Sequence, residues 1–170
     1  MKKQINAFDY AEAIVKGIAK GSLLTTKAEG RVNTMAISWG TLGVEWNKQL
    51  FTTFVRVERF TREMLDKNGE FTVNIPMEGS DMSVVGKCGS VSGRDADKIA
   101  DNNLTLVEGE KVSVPAIKEF PLTLECRVTY RQLQDDEAIA PEDLEKFYKV
   151  GYGGTHIAYV GEIVAAYIVE

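Results

Sequence analysis

Short runs in which every second residue is apolar, helical stretches between only some of those runs, and turn residues at nearly every junction predict a mainly β protein with short α-helices. Strands outnumber helices and are not separated by helices at regular intervals, as a parallel sheet would require, so the expected architecture is a Greek-key β-barrel with appended helices. The 170 residues, 44% of them hydrophobic, suffice for one complete core, and one domain over residues 1–170 is expected. No internal repeat, low-complexity segment or linker interrupts it.

The first element expected is a helix over residues 9–20. Tyr10, Ile14 and Ile18 fall on one face, Asp9 can cap and Gly21 can stop it. Residues 23–26 then read as a strand, and Lys27-Ala28-Glu29-Gly30 as the turn of a hairpin whose second strand is residues 33–39. A loop containing Gly40 and Gly43 leads to a strand at 49–57, rich in β-branched and aromatic residues. Thr61 is the expected N-cap of a helix over 62–69. Residues 70–76 alternate and end at Pro76, and a short helix is expected from Ser80 or Asp81 to Val85. Residues 88–94 form a polar, glycine-containing loop that opens a helix over 95–101. Strands at 104–107, 112–114 and 122–130 follow, the last with Cys126 on its apolar face, and then a helix over 141–148 with proline in its first turn. Residues 151–156 read as a flexible glycine-rich loop before a final strand at 157–169, where Gly161-Glu162 marks a bulge at which another backbone approaches.

A net charge of -5 with interspersed signs offers no broad basic face, which disfavours nucleic acid or an anionic membrane as partner. Polar residues after Met1-Lys2-Lys3 break up any signal core, and no run approaches transmembrane length, so a cytoplasmic location is expected. Cys88 and Cys126 have neither the number nor the spacing of a disulfide framework or a zinc site, and with one histidine no metal site is expected. Asn103-Leu104-Thr105 fits a glycosylation acceptor, which carries no weight without a secretion signal.

Three places suit a ligand. In Asn33-Thr34-Met35-Ala36-Ile37-Ser38-Trp39, the bulky Met35, Ile37 and Trp39 can build a core, while Thr34, Ala36 and Ser38 leave a shallow hydroxylic wall against which a flat molecule could lie. The same pattern also suits a strand whose small face receives another element. Arg59-Phe60-Thr61 places a forked cation and a hydroxyl at a helix start, where free amides attract anions, and equally describes a capped helix with a surface arginine. The loop from Cys88 to Lys98 is a third place where amides and hydroxyls can hold a phosphate, although the Walker spacing is missing.

The order and spacing of these segments resemble the flavin reductase family of FMN-binding split barrels, which includes flavoredoxin. The resemblance covers nearly the whole chain and is carried by residues 33–39, by Arg59-Phe60-Thr61 with Gly69-Glu70-Phe71-Thr72-Val73-Asn74-Ile75-Pro76, by Ser92-Gly93-Arg94-Asp95-Ala96-Asp97-Lys98, and by His156-Ile157-Ala158-Tyr159-Val160-Gly161-Glu162-Ile163. It implies a split β-barrel that forms a homodimer with FMN near the subunit interface. Residues 34–39 would then line the flavin ring beside Asn33, with Thr52, Thr53 and Phe54 on the neighbouring strand. Arg59 and Thr61 would hold the phosphate end, and Ser92, Gly93, Asp95 and Lys98 the ribityl-phosphate portion, with Cys88 lining the site. His156 would sit over the flavin and dock or polarise a nicotinamide, or be a polar surface residue; the family tends to carry Gly-Asp-His where this chain has Gly154-Thr155-His156.

The activity so implied is hydride transfer from NAD(P)H to FMN, with electrons passed onward to free flavin, a redox partner protein or a small acceptor. An FMN electron carrier of the flavoredoxin kind, reduced by a partner protein, is the alternative, and a non-catalytic barrel for another flat anion is a third.

Overall fold

The computed structural model describes residues 1–149 and 154–170. A short strand, β1 (Lys2–Gln4), precedes a 3-10 turn over Ala7–Tyr10 and helix α1 (Ala11–Lys20). Asp9 lies inside that turn, so the cap is Asn6, whose side chain accepts from the Phe8 amide at 3.0 Å. Ile14 and Ile18 are buried in the core with Tyr10 packed against it, and Gly21 ends the helix at a φ of 117°.

Strands β2 (Ser22–Ala28) and β3 (Arg31–Ile37) form the expected hairpin, turned by Glu29 and Gly30 at positive φ. β3 stops short of Trp39, and Ser38-Trp39 cross to β4 (Gly40–Glu45), which pairs with β5 (Lys48–Arg56). The expected loop around Gly40 and Gly43 is therefore a strand. Trp46 and Asn47 both take positive φ, the geometry of a two-residue hairpin turn, and Gly40 leaves room for the Phe51 ring.

Helix α2 (Phe60–Lys67) begins before Thr61, so Arg59 holds the cap position and Thr61 sits in the first turn. After β6 (Glu70–Ile75), helix α3 (Ser83–Ser90) starts later than expected and runs on, so that Cys88 is helical rather than in a loop. Helix α4 (Lys98–Asp101) is shorter than expected because Asp97 caps it, accepting from the Ile99 and Ala100 amides. Strands β7 (Leu106–Val107) and β8 (Ala116–Ile117) pair with each other. The strand expected at 112–114 does not form, since its amides are taken by carboxylates: Val112 by Glu125 at 3.2 Å and Ser113 by Glu70 at 2.7 Å. Strand β9 (Leu122–Leu133), a 3-10 turn over Asp136–Ala138, helix α5 (Pro141–Phe147) and strand β10 (His156–Val169) complete the order. Of the expected glycine loop, Gly151, Tyr152 and Gly153 lie outside the described residues.

The main sheet runs β3-β2-β6-β9-β10-β5-β4, with β1 beside the C-terminal end of β10. Its edges, β3 and β4, are consecutive in the chain, yet among the described residues no hydrogen-bond ladder joins them. The barrel is thus open along one seam. Phe51, Val55, Phe71, Val73, Leu124, Cys126 and Tyr159 fill its interior. On the outer face, Thr72 donates to the Pro115 carbonyl at 2.8 Å and Asn74 accepts from the Ile117 amide at 2.8 Å, pinning the following segment to the sheet.

Strand β10 bends at the expected bulge, a register shift between Val160 and Gly161 against β9. What approaches Gly161 is a ring rather than a backbone: an added Cβ would lie 2.6 Å from Phe71 and 2.9 Å from Cys126 Cβ. Gly161→Ala is expected to destabilise the fold by about 1–3 kcal/mol in urea unfolding, as overpacking does. Gly43→Ala, where a Cβ meets nothing within 4 Å, is the control and should shift stability by no more than about 0.5 kcal/mol.

Candidate functional site

Against the β3 edge of the open seam, β3, the end of β5, the start of α2, the end of α3 and residues 91–94 enclose a cleft of about 460 Å³. A smaller hollow of about 170 Å³ shares Met35, Ala36, Arg56 and Arg59 with it and runs on to Ser38, Trp39, Phe54 and His156. The cleft has the size of a small-molecule site.

The cleft wraps the edge of β3, so residues from both faces of the strand reach it. Asn33 is buried in the cleft wall and donates from Nδ2 to Thr61 Oγ1 at 3.1 Å. Met35 and Ala36 line both cavities. Thr34 lines neither: its hydroxyl donates to the Leu24 carbonyl at 3.3 Å and lies 3.1 Å from that of Thr25, both threonines being fully buried. The small-faced wall expected from Thr34, Ala36 and Ser38 is therefore corrected at Thr34, while Ala36 lines both cavities and Ser38 the hollow. Thr34 belongs to a polar layer on the outer face of the sheet, Ala36 sits at the edge of α3 near Gly89, and Ser38 lies past the strand end. On the bulky face Ile37 enters the core and Met35 packs against it as expected, and the correction falls on Trp39, which lies beyond the strand and is 38% exposed.

On β5, Phe54 faces the hollow, whereas Thr52 lines neither cavity and Thr53 is buried on the face of Phe51 and Val55. Cys88, Ser92, Gly93 and Lys98 line the cleft, and Asp95 is exposed outside it. Sequence reasoning missed Arg56, Glu58, Phe60 and Arg94. The same alternation that places Phe54 at the hollow places Arg56 there, so that residue was legible; Arg94 required the fold.

The cations differ in what they already hold. Arg56 donates to the carbonyls of Gly154 at 2.6 Å and Phe147 at 2.9 Å, Arg62 pairs with Asp66, and Arg94 pairs with Glu63. Arg59 is exposed at the head of α2, and among the described residues no acceptor engages its guanidinium. Thr61, fully inside the first turn, takes the Asn33 amide on its oxygen and keeps its hydroxyl proton for another acceptor. The first amides of a helix add uncompensated donors. Lys98 is buried with Nζ on the Cys88 carbonyl at 2.8 Å, and burial, with the Arg59 charge, lowers its pKa. Burial pushes the Cys88 thiol up, which favours the unreactive thiol form.

His156 opens β10 rather than sitting in a loop, is 4% exposed, and packs between Trp39 and Tyr148. Burial, with the charges of Arg56 and Arg59, lowers its pKa to about 4. The ring is thus neutral at physiological pH. The Tyr148 hydroxyl donates to Gln134 at 3.1 Å and lies 2.9 Å from His156 Nδ1, so its lone pair accepts from Nδ1–H and leaves Nε2 an acceptor. Together, an unengaged guanidinium, a free hydroxyl proton and helix-start amides fit the phosphate of a mononucleotide, with Met35 and Ala36 beside it for an apolar ring.

Comparison with known proteins agrees with this geometry. The family model described as flavin reductase like domain matches residues 19–170. An uncharacterized protein of Archaeoglobus fulgidus is 32% identical over 132 residues, covering 78% of this chain and 63% of that protein. The crystal structure of a flavoredoxin from Methanosarcina acetivorans aligns with a TM-score of 0.67 at 32% identity, over 88% of this chain and 68% of that one. An FMN-binding domain of a flavin reductases-like enzyme from Shewanella baltica shares the fold, with a TM-score of 0.71 at 17% identity over 99% of this chain and 77% of its own. The chain spans between about half and two thirds of the length of the curated relatives it matches. The seam-open architecture is that of a split β-barrel, and the chain belongs to the flavin reductase like domain family.

Proposed function

We propose that the chain binds FMN in the seam cleft and acts as a flavin reductase-like oxidoreductase. The observation that carries this reading is Arg59, an unengaged guanidinium at the head of α2 beside the free Thr61 hydroxyl, in a cleft walled by Met35 and Ala36. Arg59, Thr61 and the first α2 amides hold the phosphate, and Lys98 lends a second positive charge. Asn33 orients the Thr61 hydroxyl. Met35, Ala36, Ser38, Trp39 and Phe54 flank the ring, and Ser92 and Gly93 close over the ribityl chain. FMN, when bound, supplies the chemistry of accepting a hydride from NAD(P)H and passing electrons to an acceptor. His156, neutral and fixed by Tyr148, offers Nε2 to a nicotinamide carboxamide and does not donate a proton.

We assign the protein to the cytoplasm as a homodimer with the flavin near the subunit interface; the 38% exposure of Trp39 beside the open hollow supports cover by a second copy. A second reading, an FMN electron carrier reduced by a partner protein, is favoured by the 32% identity to a flavoredoxin.

Titration of purified protein with FMN should give a bound-flavin spectrum, and Arg59→Ala should weaken that binding by about 2 kcal/mol, the scale of a charge-assisted hydrogen bond; unchanged affinity removes Arg59 from the site. Anaerobic NADH or NADPH should bleach the bound flavin, and an unbleached spectrum leaves the carrier reading. Because His156 is held near pKa 4, flavin reduction should show no histidine titration between about pH 5.5 and 8. For stability, the unfolded chain, with the ordinary histidine value of 6.5, takes up the proton before the folded protein does as pH falls. This part of the stability is therefore present above pH 6.5 and lost as pH falls towards 4, and His156→Asn should lessen that loss in urea unfolding.

A further inference from the structure

One wall of the cleft is fastened to the rest of the protein by side chains. Residues 91–96 lead from the end of α3 to the Asp97 cap of α4. Among the described residues their backbone makes one backbone–backbone bond, from the Asp95 amide to the Ser92 carbonyl at 3.1 Å, inside the stretch itself. They pair with no strand.

Side-chain fastenings cross the cleft instead. Arg94 donates to the Glu58 carbonyl at 3.2 Å and pairs with the Glu63 carboxylate on α2, while Arg31 of β3 donates to the Gly93 carbonyl. Both guanidinium groups lie over the Phe60 ring, 5.6 and 5.0 Å from its centroid. At Gly93 the strap rests directly on its bed, since an added Cβ would lie 3.1 Å from Phe60 and overlap the Asn33 amide group.

We propose that residues 91–96 are a latched strap, with the Arg94–Glu63 pair as its catch, and that release of the catch admits and frees the ligand of the cleft. The catch suits that task. Both partners are partly exposed, at 43% and 38% of their side chains, so the pair is weak, screened by salt and quick to open. A strand ladder in its place would open only with the sheet. Arg94 lines the cleft but Glu63 does not, so losing the catch through Glu63 removes no group that touches the ligand, and entry and exit both speed up. The identity of the ligand rests on the flavin reading; the catch does not.

Cys88 supplies a native reporter, being a buried thiol in the cleft wall, while Cys126 is buried in the barrel core. The ligand-free full chain and its Glu63→Gln variant are labelled with N-ethylmaleimide at low and high salt. Labelling of Cys88 should be roughly three- to fivefold faster in Glu63→Gln, the scale of an exposed ion pair. Sodium chloride at about 0.5 M should bring the wild type to the variant's rate by screening, with Cys126 unlabelled in both. Equal Cys88 rates overturn the catch. If Cys126 reacts in the variant, its fold is lost and the wild-type salt series decides, no acceleration of Cys88 overturning the proposal. With FMN in stopped flow, association and dissociation should rise in Glu63→Gln by similar factors; a rise in dissociation alone overturns the gate. A protein that binds no FMN refutes the flavin reading, and the labelling result then judges the strap by itself.

Discussion

The bend of β10 at Gly161 is the constraint on which the architecture rests. This 14-residue strand pairs with β9 along one side and with β5 and then β1 along the other, so it must serve two neighbouring directions. The register shift at Val160/Gly161 lets it do so, and the missing side chain makes room for Phe71 at the centre of the core. The curl that results brings β3 and β4 to face each other without joining them. The cleft lies against the β3 edge, where the end of β5, the start of α2, the end of α3 and residues 91–94 all reach one volume.

Charge is distributed in the cleft by prior commitment. The protein is acidic overall, with a net charge of -5, yet Arg31, Arg56, Arg59, Arg94 and Lys98 gather around the seam. Most already hold a carbonyl or a carboxylate and act as fasteners of the surrounding wall. Arg59 stands apart because Arg62 takes Asp66 and Arg94 takes Glu63, while among the described residues neither it nor the adjoining Glu58 forms an ion pair. A cation left over in this way can meet a phosphate without first breaking an ion pair, which is how an acidic protein holds an anionic ligand locally. The same cations act on their neighbours, lowering the pKa of Lys98 and of His156 beyond what burial does. His156 accordingly works as a fixed neutral acceptor and not as a switch near neutral pH.

Thr34 shows where reading by alternation fails. Period two correctly sorts the side chains of β3 onto opposite faces, but a strand carries no mark of what lies against each face. On the small face expected to be open, Thr34 is covered by a layer of hydroxyls and amides around Thr25, Thr72 and Asn74, while Ala36 and Ser38 do reach the cavities. Trp39 errs in the opposite sense, since a bulky residue continuing the pattern was assigned to the core although the strand had already ended. Thr61 differs by a helix boundary alone, and the shift turns an expected cap into a hydroxyl oriented by Asn33.

Sequence by itself determined the mainly β class, the first hairpin, the apolar face of β9 around Cys126 and the bulge at Gly161, while the joining of residues 33–39, Arg59 and residues 88–98 into one group came from the family resemblance. These follow from local rules, the strand period, turn chemistry and the order of segments along the chain, which short stretches of residues carry complete. Only the tertiary structure decided that Gly40 and Gly43 belong to an edge strand, that Glu125 and Glu70 displace a strand at 112–114, which cation is left without a partner, and that residues 91–96 are tied down by Arg94. Most of these depend on groups distant in the chain, Glu125 and Glu70 for the amides at 112–113 and Glu63 for Arg94, competing for the same amide or carboxylate. Such competition is settled by three-dimensional proximity, which no local pattern records.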